Sequence, residues 1–490
     1  MERRIGNLGV VLLVLFLALF AQLAYLQVYE GPALANHPGN TRNAVRDFGQ
    51  ARGTIRTSDG RIVAESVRNP DAGSKFRYLR RYPGGVLYGH LSGYFSFTYG
   101  SSGVERSYNA VLAGREGALV ISADKLKQLL SDRTTVSDVT LTIDDKVQRV
   151  AAQALGRRKG SVVAIDVRDG SIIAMVSYPG YDPTDLALLD QKKVQAAWNK
   201  LAADPLKPLL ARAFREVYPP GSTFKTITTA AGLQSRVASI DTTYPVIASL
   251  VLPLTTRPLR NFGGKACGGT LFESFVVSCN TTFAQLGLDL GPAYLGDRAR
   301  AFGFGRRPPL DVEPGAVASR FPDNAFFTRN TPALAQAAIG QGEVAATPLQ
   351  MALVAAAIAN GGKAPNPHVV SEVRERTGAV VKRPGGGTWT DAMEPAVAAQ
   401  LRDAMIQVVQ RGTATRAALP GVQVAAKTGT AQTANARSHA WTIAFAPAEA
   451  PRVAIAVIIE DQNEVSTTTG GRIAAPVVAT VLKEALFVTR

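Results

Sequence analysis

Cysteine and histidine are scarce in this chain of 490 residues. Cysteine occurs only as Cys267 and Cys279, and no Cys-x-x-Cys pair is present. The histidines are scattered along the chain, at positions 37, 90, 368 and 439. A protein zinc site needs three or four such ligands at short, regular spacings, and those spacings do not occur. The sequence therefore predicts no metal site, and we expect no other cofactor.

Signatures of nucleic-acid binding are also lacking. The chain is basic, with a formal net charge of +16, and a basic protein is attracted to any polyanion. It has no basic run with interleaved aromatic residues, no zinc-finger spacing and no RNP-like motif. We therefore predict that the protein has no nucleic-acid partner. Anionic lipid headgroups or other anionic polymers fit the charge equally well.

Charged residues are absent from residues 5–29. The apolar part of this run, 8–28, is about as long as a helix needs to cross a bilayer. Arg3 and Arg4 precede it and mark the cytoplasmic end. A cleaved signal peptide is the alternative, but the run is longer than a usual signal and lacks a clean small-x-small site at its end. We predict a cytoplasmic tail at 1–7, a single transmembrane helix at 8–28, and the rest of the chain outside the plasma membrane.

The two cysteines allow two interpretations. Outside the cytoplasm an even number of cysteines can pair in a disulfide. A bridge that closes a loop of this size contributes about 3 kcal/mol in the chain-entropy model. The alternative is a pair of buried free thiols. We favour a disulfide between Cys267 and Cys279.

The stretch 29–139 is basic, glycine-rich and only weakly periodic, which indicates short strands and turns. Asp59-Gly60, within "TSDGRIVAES", predicts a hairpin. We expect a small, mainly-β N-terminal domain over 29–139 and a larger domain over 140–490.

The larger domain carries strand patterns at both of its ends. Near its start, "TIDDKVQRVAAQALG" predicts a helix that ends at Gly156, and two β-rich runs around Asp169-Gly170 predict a hairpin. Near the C-terminus, "VQVAAKTGTAQ", "AWTIAFAP" and "RVAIAVIIED" predict three strands, and a last helix follows. We predict an α/β (α+β) fold with one antiparallel sheet built from both ends and flanked by helices. The middle, about 183–409, is predicted to be an inserted all-helical lobe.

A candidate nucleophile lies in "PPGSTFK", where Ser222 precedes Lys225 by three residues. On a helix these two positions share a face. The lysine can take the serine proton only if burial or nearby positive charge lowers its pKa. Pro-Pro-Gly favours a helix start at this point, and the N–H groups there can stabilise an oxyanion. An ordinary loop that leads into a helix is the alternative.

Two more motifs supply groups that such a nucleophile needs. "SCN" offers Ser278 as a proton relay and Asn280 as an amide to hold the substrate. "KTGT" offers Lys427 as a cation on a predicted strand. Within it, Gly429 would let the substrate backbone approach, and Thr428 can bond a carboxylate.

Short patterns of this kind also occur by chance. "SADK" at 122–125, "SYN" at 107–109 and "RTG" at 376–378 imitate the three motifs. They run in the wrong order, "SADK" lacks the Pro-Gly start, and "RTG" falls at an apparent turn. The favoured set runs turn-helix, helix and strand, and its strand belongs to the C-terminal part of the predicted sheet.

These motifs and the sequence around them resemble the class B penicillin-binding proteins, the bacterial peptidoglycan D,D-transpeptidases. The resemblance runs through "RGTIRTSDGRIVAES", "GSVVAIDVRDGSIIAMVSYPGYDP", "YPPGSTFK", "SCNTTFAQLG", "KTGTAQ" and "GGRIAAP", and it covers nearly the whole chain. It implies the penicillin-binding-protein/serine β-lactamase-like transpeptidase fold with a five-stranded antiparallel sheet. One departure is Ala211, where the family usually has Asn before "RA". This puts a supporting contact in doubt and leaves the chemistry in place.

The resemblance implies a role for each catalytic residue. Ser222 is the acylated nucleophile, and Lys225 is its general base. Ser278 passes a proton to the leaving amine. Asn280 holds the substrate amide and Lys225, and Lys427 tunes the site electrostatically.

The resemblance also implies how the substrate is held. Thr428 and Thr430 bind the terminal carboxylate, and the N–H groups of Ser222 and Thr430 form the oxyanion hole. The substrates are then peptidoglycan stem peptides, which release a terminal D-Ala on acylation. β-Lactams mimic this donor and stay attached to the serine.

The implied partners are the plasma membrane and a separate polytopic glycan polymerase, with 29–139 as the pedestal that meets partners. A membrane-anchored β-lactam hydrolase or sensor is one alternative, and a non-catalytic cell-wall scaffold is another. The chain has an extra N-terminal region and no convincing deacylating Glu, which disfavours the hydrolase. The complete set of motifs disfavours the scaffold.

The sequence leaves the role of Trp441 open and indicates a structural role for Glu105. Trp441 lies next to the strand that follows Lys427, where it can either line the cleft or fill the core. Glu105 resembles a structural glutamate of the family's N-terminal region, and we interpret it as structural.

Overall fold

The computed structural model describes residues 2–31, 48–71, 73–74, 76–115, 136–432, 437–462 and 468–489. The second Ser-x-x-Lys, at 122–125, lies outside these residues, as do Met1 and the side chains of Arg3 and Arg4.

The helices and strands are numbered here in chain order. The α-helices are α1 (Glu2–Val28), α2 (Gly89–Ser92), α3 (Gly103–Ser107), α4 (Asn109–Leu112), α5 (Asp145–Leu155), α6 (Gln191–Ala203), α7 (Arg212–Arg215), α8 (Lys225–Ser235), α9 (Leu271–Val276), α10 (Asn280–Ala301), α11 (Asn324–Arg329), α12 (Thr331–Ala338), α13 (Pro348–Ala359), α14 (Pro395–Gln410) and α15 (Ala475–Val488). The strands are β1 (Ile55–Arg56), β2 (Ile62–Arg68), β3 (Tyr78–Arg81), β4 (Phe95–Ser96), β5 (Gly100–Ser101), β6 (Ser137–Leu141), β7 (Gly160–Asp166), β8 (Ile172–Tyr178), β9 (Thr243–Ile247), β10 (Ser249–Leu250), β11 (Leu259–Arg260), β12 (Cys267–Thr270), β13 (Lys363–Pro365), β14 (Val370–Glu375), β15 (Val380–Lys382), β16 (Thr388–Asp391), β17 (Ala425–Gln432), β18 (Ser438–Ala446) and β19 (Val453–Gln462).

The apolar N-terminal run folds as the helix α1, at the place that the sequence predicts. Its segment 6–28 is long and apolar enough to cross a membrane, and none of its most apolar stretch is buried inside the protein. Exposed leucine, valine and phenylalanine side chains cover this segment. Such a surface is unfavourable in water and suits a hydrocarbon environment.

The predicted antiparallel sheet is present, and it draws its strands from both ends of the larger domain. The strand order is β17-β18-β19-β7-β8, and every neighbouring pair is antiparallel. β18 is buried along its whole length, as is β7. α5 and α15 pack on each other and on the sheet, and α13 crosses β7, β18 and β19 from the other face. The predicted hairpin at Asp169-Gly170 and the three C-terminal strands are therefore confirmed.

The helix predicted from "TIDDKVQRVAAQALG" also forms, as α5. Its N-cap is Asp144, whose carboxylate accepts a hydrogen bond from the backbone N–H of Val147. It ends at Gly156, which has a positive φ of 63°. Glycine adopts this left-handed conformation without the steric cost that a Cβ would bring.

The prediction of an all-helical insertion over 183–409 is wrong in two respects. First, the region also contains the strands β9 to β12 and β13 to β16. Second, α13 is part of the domain's core, because eleven of its residues are buried, several of them beneath the sheet. Its sequence, "PLQMALVAAAIA", is apolar on all sides, and a helix of that kind is stable only when surrounded.

The N-terminal region and the larger domain share one mixed sheet. Its order is β15-β14-β6-β1-β2-β3, so strands from 370–382 continue the sheet of the N-terminal region. β1 and β2 form the predicted hairpin around Asp59-Gly60. β6 runs from Ser137 to Leu141 and pairs with β1 on one side and β14 on the other. The predicted division at 139/140 therefore falls inside a strand that joins the two parts.

Glu105 lies at the centre of the N-terminal region and is completely buried. Arg52 Nε and Arg80 Nε donate to its two carboxylate oxygens at 2.6 and 2.5 Å. Burial alone would raise the pKa of this carboxyl, but the two guanidinium groups outweigh it and hold the pKa below its ordinary value. The contacts are those of a structural ion-pair network.

Candidate active site

The predicted nucleophile lies on a tight turn that the rest of the domain holds in place. Residues Gly221–Phe224 form a 3-10 turn, and α8 begins at Lys225, so Ser222 and Lys225 sit one turn apart. Gly221 has a φ of 55°, and a Cβ there would lie 3.1 Å from the backbone of Thr430. The turn therefore needs glycine for its conformation and for its close approach to β17.

Trp441 holds the start of this turn in place with a hydrogen bond. Its ring is completely buried, and Nε1 donates a hydrogen bond to the carbonyl oxygen of Pro219 at 3.0 Å. Of the two interpretations left open above, the structure supports the one that places Trp441 in the core.

The side chain of Lys225 is completely buried and points at the "SCN" motif. Its Nζ donates to Asn280 Oδ1 at 2.8 Å and to the carbonyl oxygen of Ser278 at 2.7 Å, and it lies 3.4 Å from Ser278 Oγ. Burial lowers the pKa of Lys225 well below its ordinary value, and the charge of Lys427 lowers it further. A neutral amine is the form that can accept a proton from Ser222.

Ser278 lies between the two lysines. Lys427 Nζ donates to Ser278 Oγ at 2.9 Å, while Lys225 approaches the same residue from the other side. Ser278 has a φ of 62°, which is unusual for a residue with a side chain and is held here by the surrounding contacts. The hydroxyl is thus placed where it can relay a proton.

Each lysine also lies over an aromatic ring. Lys225 Nζ is 5.3 Å from the ring centre of Phe283, and Lys427 Nζ is 5.5 Å from that of Phe275. Both rings are completely buried, so they keep water away from the amines. Burial lowers the pKa of Lys427 to about 7.

The two cysteines form a disulfide that includes the "SCN" motif. Cys279 stands between Ser278 and Asn280, and its partner Cys267 begins β12. The bridge connects the motif to β12, the strand that directly precedes α9.

The "KTGT" motif lies on β17, an edge strand of the sheet. An edge strand has free backbone groups that can pair with an extended peptide. Gly429 faces the nucleophile turn, since a Cβ there would lie 2.8 Å from the Pro220 carbonyl oxygen and 3.1 Å from Thr223. Its smallness therefore brings strand and turn together, and the approach of substrate at Gly429 stays a prediction.

Thr413 is a residue of this site that the sequence reasoning missed. Its Oγ1 lies 2.6 Å from Oγ1 of Thr428, which is mostly buried. A threonine hydroxyl that donates outward to a carboxylate can accept a hydrogen bond from behind. The signal was present in "VVQRGTA", but the proximity of 413 to 428 depends on the packing of α14 against β17.

The chance matches to the motifs lie outside this site. Ser107 is in the N-terminal region, where its hydroxyl donates to the Gly103 carbonyl oxygen. The "RTG" at 376–378 forms the turn between β14 and β15. Within the described parts of the chain, no three His, Cys, Asp or Glu side chains converge to hold a metal ion.

Comparison with known proteins agrees with this geometry. The family model described as the penicillin binding protein transpeptidase domain matches residues 160–483, and the model described as the penicillin binding protein A dimerisation domain matches residues 52–138. The peptidoglycan D,D-transpeptidase PbpA of Mycolicibacterium smegmatis is 39% identical over 99% of both chains. The protein of the same name from Mycobacterium tuberculosis is 37% identical, also over 99% of both chains.

Solved structures show the same similarity. A ceftriaxone acyl-enzyme complex of penicillin-binding protein A from M. tuberculosis is 36% identical and superimposes with a TM-score of 0.82, covering 90% of this chain and 100% of that one. A D,D-transpeptidase domain from Eggerthella lenta is 34% identical, with a TM-score of 0.78 over 90% of this chain and 99% of that one. The transpeptidase match covers well over half of the sequence, and the chain therefore belongs to the penicillin-binding protein transpeptidase family.

Proposed function

We propose that this protein, a peptidoglycan D,D-transpeptidase and β-lactam target, carries out its reaction through an acyl-enzyme at Ser222. The observation that supports this assignment is the contact of two buried lysines with one serine. Lys225 and Lys427 both reach Ser278, and Lys225 also holds Asn280. This arrangement contains a base, a proton relay and an amide within reach of the Ser222 turn.

In the first half of the reaction, neutral Lys225 takes the proton of Ser222, and Oγ attacks the carbonyl carbon of the penultimate D-Ala. The backbone N–H groups of Ser222 and Thr430 stabilise the oxyanion. The peptide bond then breaks, and Ser278 passes a proton to the departing amine of the terminal D-Ala. Lys225 then returns the proton that it took to Ser278, whose Oγ lies 3.4 Å from its Nζ, while Lys427 polarises Ser278 from 2.9 Å. The terminal carboxylate binds to Thr428 and Thr430.

In the second half, an amine of a neighbouring stem peptide attacks the ester carbonyl. The attacking amine gives a proton to Ser278 and Lys225, which pass it on to Ser222 Oγ. The ester bond to Ser222 breaks, and the new amide leaves. Two peptides become cross-linked without external energy, because one peptide bond replaces another. The reaction needs no group beyond the side chains and backbone of this chain.

We further propose that α1 crosses the plasma membrane once, with Arg3 and Arg4 in the cytoplasm and the catalytic domain outside. Residues 29–139 then form a pedestal and partner-binding domain, and 140–490 form the transpeptidase domain. A polytopic membrane glycan polymerase is the proposed partner, since the family resemblance implies one and only about 110 residues separate α1 from the transpeptidase domain. Reporter fusions at the two ends of α1 test the orientation.

The test of the function is labelling with penicillin G, followed by intact mass measurement and peptide mapping. The expected result is a single long-lived adduct on Ser222, which disappears in Ser222→Ala. The matched control is Ser107→Ala, which removes a serine of the imitating "SYN" and should label fully. Rapid turnover of penicillin would favour the hydrolase instead. Full support of cross-linking in cells by Ser222→Ala would favour the scaffold.

A further inference from the structure

The segment 243–270, called here the basic flap, connects α8 to α9 and contains the strands β9 to β12. It has no aspartate or glutamate, but it carries Arg257, Arg260 and Lys265. All three side chains are exposed, and none forms an ion pair with any carboxylate that the structure describes. Glu273, the next acid along the chain, is already held by both terminal nitrogens of Arg411.

The basic flap is attached directly to the catalytic residues. Asn280 Nδ2 donates to the carbonyl oxygen of Arg260 at 3.1 Å, and Asn280 Oδ1 accepts from Lys225 Nζ at 2.8 Å. Asn261 is mostly buried, and its Oδ1 accepts from the backbone N–H of Thr281 at 2.9 Å. Two hydrogen bonds therefore separate the backbone of Arg260 from the proposed general base.

The alternation of a strand sets the direction of the Arg260 side chain. Its neighbour Leu259 packs against the cluster that Leu252 forms with Ala284 of α10. Successive side chains of a strand point to opposite faces. Arg260 therefore points away from α10 and into solvent at the edge of the site, where no carboxylate of the described residues pairs with it.

The flap also exposes apolar side chains beside these charges. Val246, Val251, Leu254 and Phe262 are 67%, 68%, 85% and 51% exposed. Single exposed apolar residues are ordinary, but several on one short segment indicate a surface that contacts something. Unpaired cations with apolar neighbours suit a ligand that has carboxylates on a short, partly apolar chain.

We propose that the basic flap is a subsite for the acidic part of the stem peptide, with Arg260 binding a side-chain carboxylate of the substrate. This inference rests on the proposed function and adds a specificity-determining residue to it. An arginine can hold a carboxylate with two parallel hydrogen bonds, which fixes the orientation of the peptide as well as its position. The contact of Arg260 with Asn280 places this carboxylate next to the amide that holds the reacting part of the same peptide.

The experiment compares two synthetic donor peptides that end in D-Ala-D-Ala. One carries free side-chain carboxylates upstream, and its twin carries amides at the same positions. The full-length protein is assayed in detergent for D-Ala release, with penicillin G used to count active sites in each preparation. In the wild type the acidic peptide should be the better substrate. Arg260→Gln should lower kcat/KM for the acidic peptide about tenfold more than for the amidated twin.

The substitution Arg260→Gln separates recognition by the Arg260 side chain from the positioning of Asn280 by the Arg260 backbone. Asn280 contacts the carbonyl of Arg260, so Arg260→Gln keeps that hydrogen bond. Arg329→Gln, an exposed arginine on α11, is the matched control and should leave the ratio of the two peptides unchanged. Equal losses with both peptides, or no loss with either, would overturn the subsite.

Three further results would also overturn it. If Arg260→Gln left peptide kinetics unchanged but weakened binding to vesicles of anionic lipid, the flap would be a membrane contact. If the wild type gave neither a penicillin adduct nor D-Ala release, the proposed function would fail, and the subsite with it. A normal adduct with no preference for the acidic peptide would remove the subsite alone.

Discussion

At the scale of single residues, the site depends on a lysine that is neutral when it must accept a proton. The pKa of Lys225 is lowered first by burial and second by the charge of Lys427. Acylation should therefore fall as the pH drops through the pKa of Lys225, because protonation removes the base. Replacing Lys427 by methionine removes a neighbouring positive charge and so raises the pKa of Lys225. In Lys427→Met, the acidic limb of the pH profile of the penicillin acylation rate should therefore move to higher pH.

The control for this shift is Lys427→Arg, which keeps a positive charge near Lys225. Its acylation rate can fall, but its acidic limb should stay closer to the wild-type position than that of Lys427→Met. The measurement is the second-order rate of penicillin acylation against pH for all three proteins. Coincident limbs in the two variants would show that the charge of Lys427 does not set the pKa of Lys225.

A second prediction at this scale concerns Thr413. Its hydroxyl lies 2.6 Å from that of Thr428, and we expect it to donate, so that Thr428 can donate to the substrate carboxylate. Thr413→Val removes the donor at nearly constant volume and should lower kcat/KM for penicillin acylation about tenfold. Thr413→Ser keeps the donor and should retain most of the rate. A rate in Thr413→Val equal to the wild type would mean that Thr428 is oriented by other groups.

How far the sequence predicts the site differs from residue to residue. Ser222, Ser278 and Lys427 could be chosen over their imitations because their order along the chain matches a turn, a helix and a strand. The structure brings these three motifs together at contact distance. Thr413 could not be predicted, because only the packing of elements brings its hydroxyl to that of Thr428. The position of Arg260 next to Asn280 likewise depends on packing that the sequence does not show.

At the scale of elements, the buried network of Glu105 should hold the N-terminal strands together. Arg52 belongs to the segment before β1 and Arg80 to β3, and both guanidinium groups are almost completely buried. Glu105→Gln leaves two buried cations without their counter-charge and should destabilise the region by about 3–5 kcal/mol. Urea unfolding followed by tryptophan and tyrosine fluorescence measures the loss.

The matched control is Glu273→Gln, which breaks an exposed pair with Arg411 and should cost less than about 1 kcal/mol. The sign of the pH dependence follows from the lowered pKa of Glu105. The stabilising contribution of Glu105 is fully present above the pKa that its carboxyl has in the unfolded chain. It is lost as the pH falls through the lower pKa of the same carboxyl in the folded protein. Glu105→Gln should therefore lose less stability than the wild type on acidification. Equal acid sensitivity of the two proteins would contradict a charged Glu105.

The elements themselves were predicted with uneven success, for physical reasons. Two β-rich runs on either side of an Asp-Gly turn were enough to predict the β7-β8 hairpin, because both signals are local. The character of α13 was misjudged, because an apolar helix looks the same in a helical lobe as beneath a sheet, and only its neighbours distinguish the two. The strands of the basic flap are two to five residues long, which is too short for periodicity to show.

At the scale of the whole molecule, the active site is assembled from segments far apart in the chain, and the domain that carries it shares a sheet with the N-terminal region. β14 and β15 come from 370–382, yet they pair with β6 and extend the sheet of β1 to β3. Tyr108 Oη donates to Asp311 Oδ2 at 2.9 Å across the same junction. The N-terminal region is thus part of the structural support of the larger domain.

This arrangement predicts different results for two truncations. A chain that lacks residues 1–31 loses only α1 and should be soluble, with penicillin acylation at the full-length rate. A chain that begins at 142 also loses β6 and leaves one side of β14 unpaired, and an unpaired strand edge invites aggregation. Gel filtration and penicillin labelling of both proteins measure the difference. A monomeric, fully labelled chain from 142 onward would show that the larger domain is stable without the shared sheet, and that the division at 139/140 is a true domain boundary.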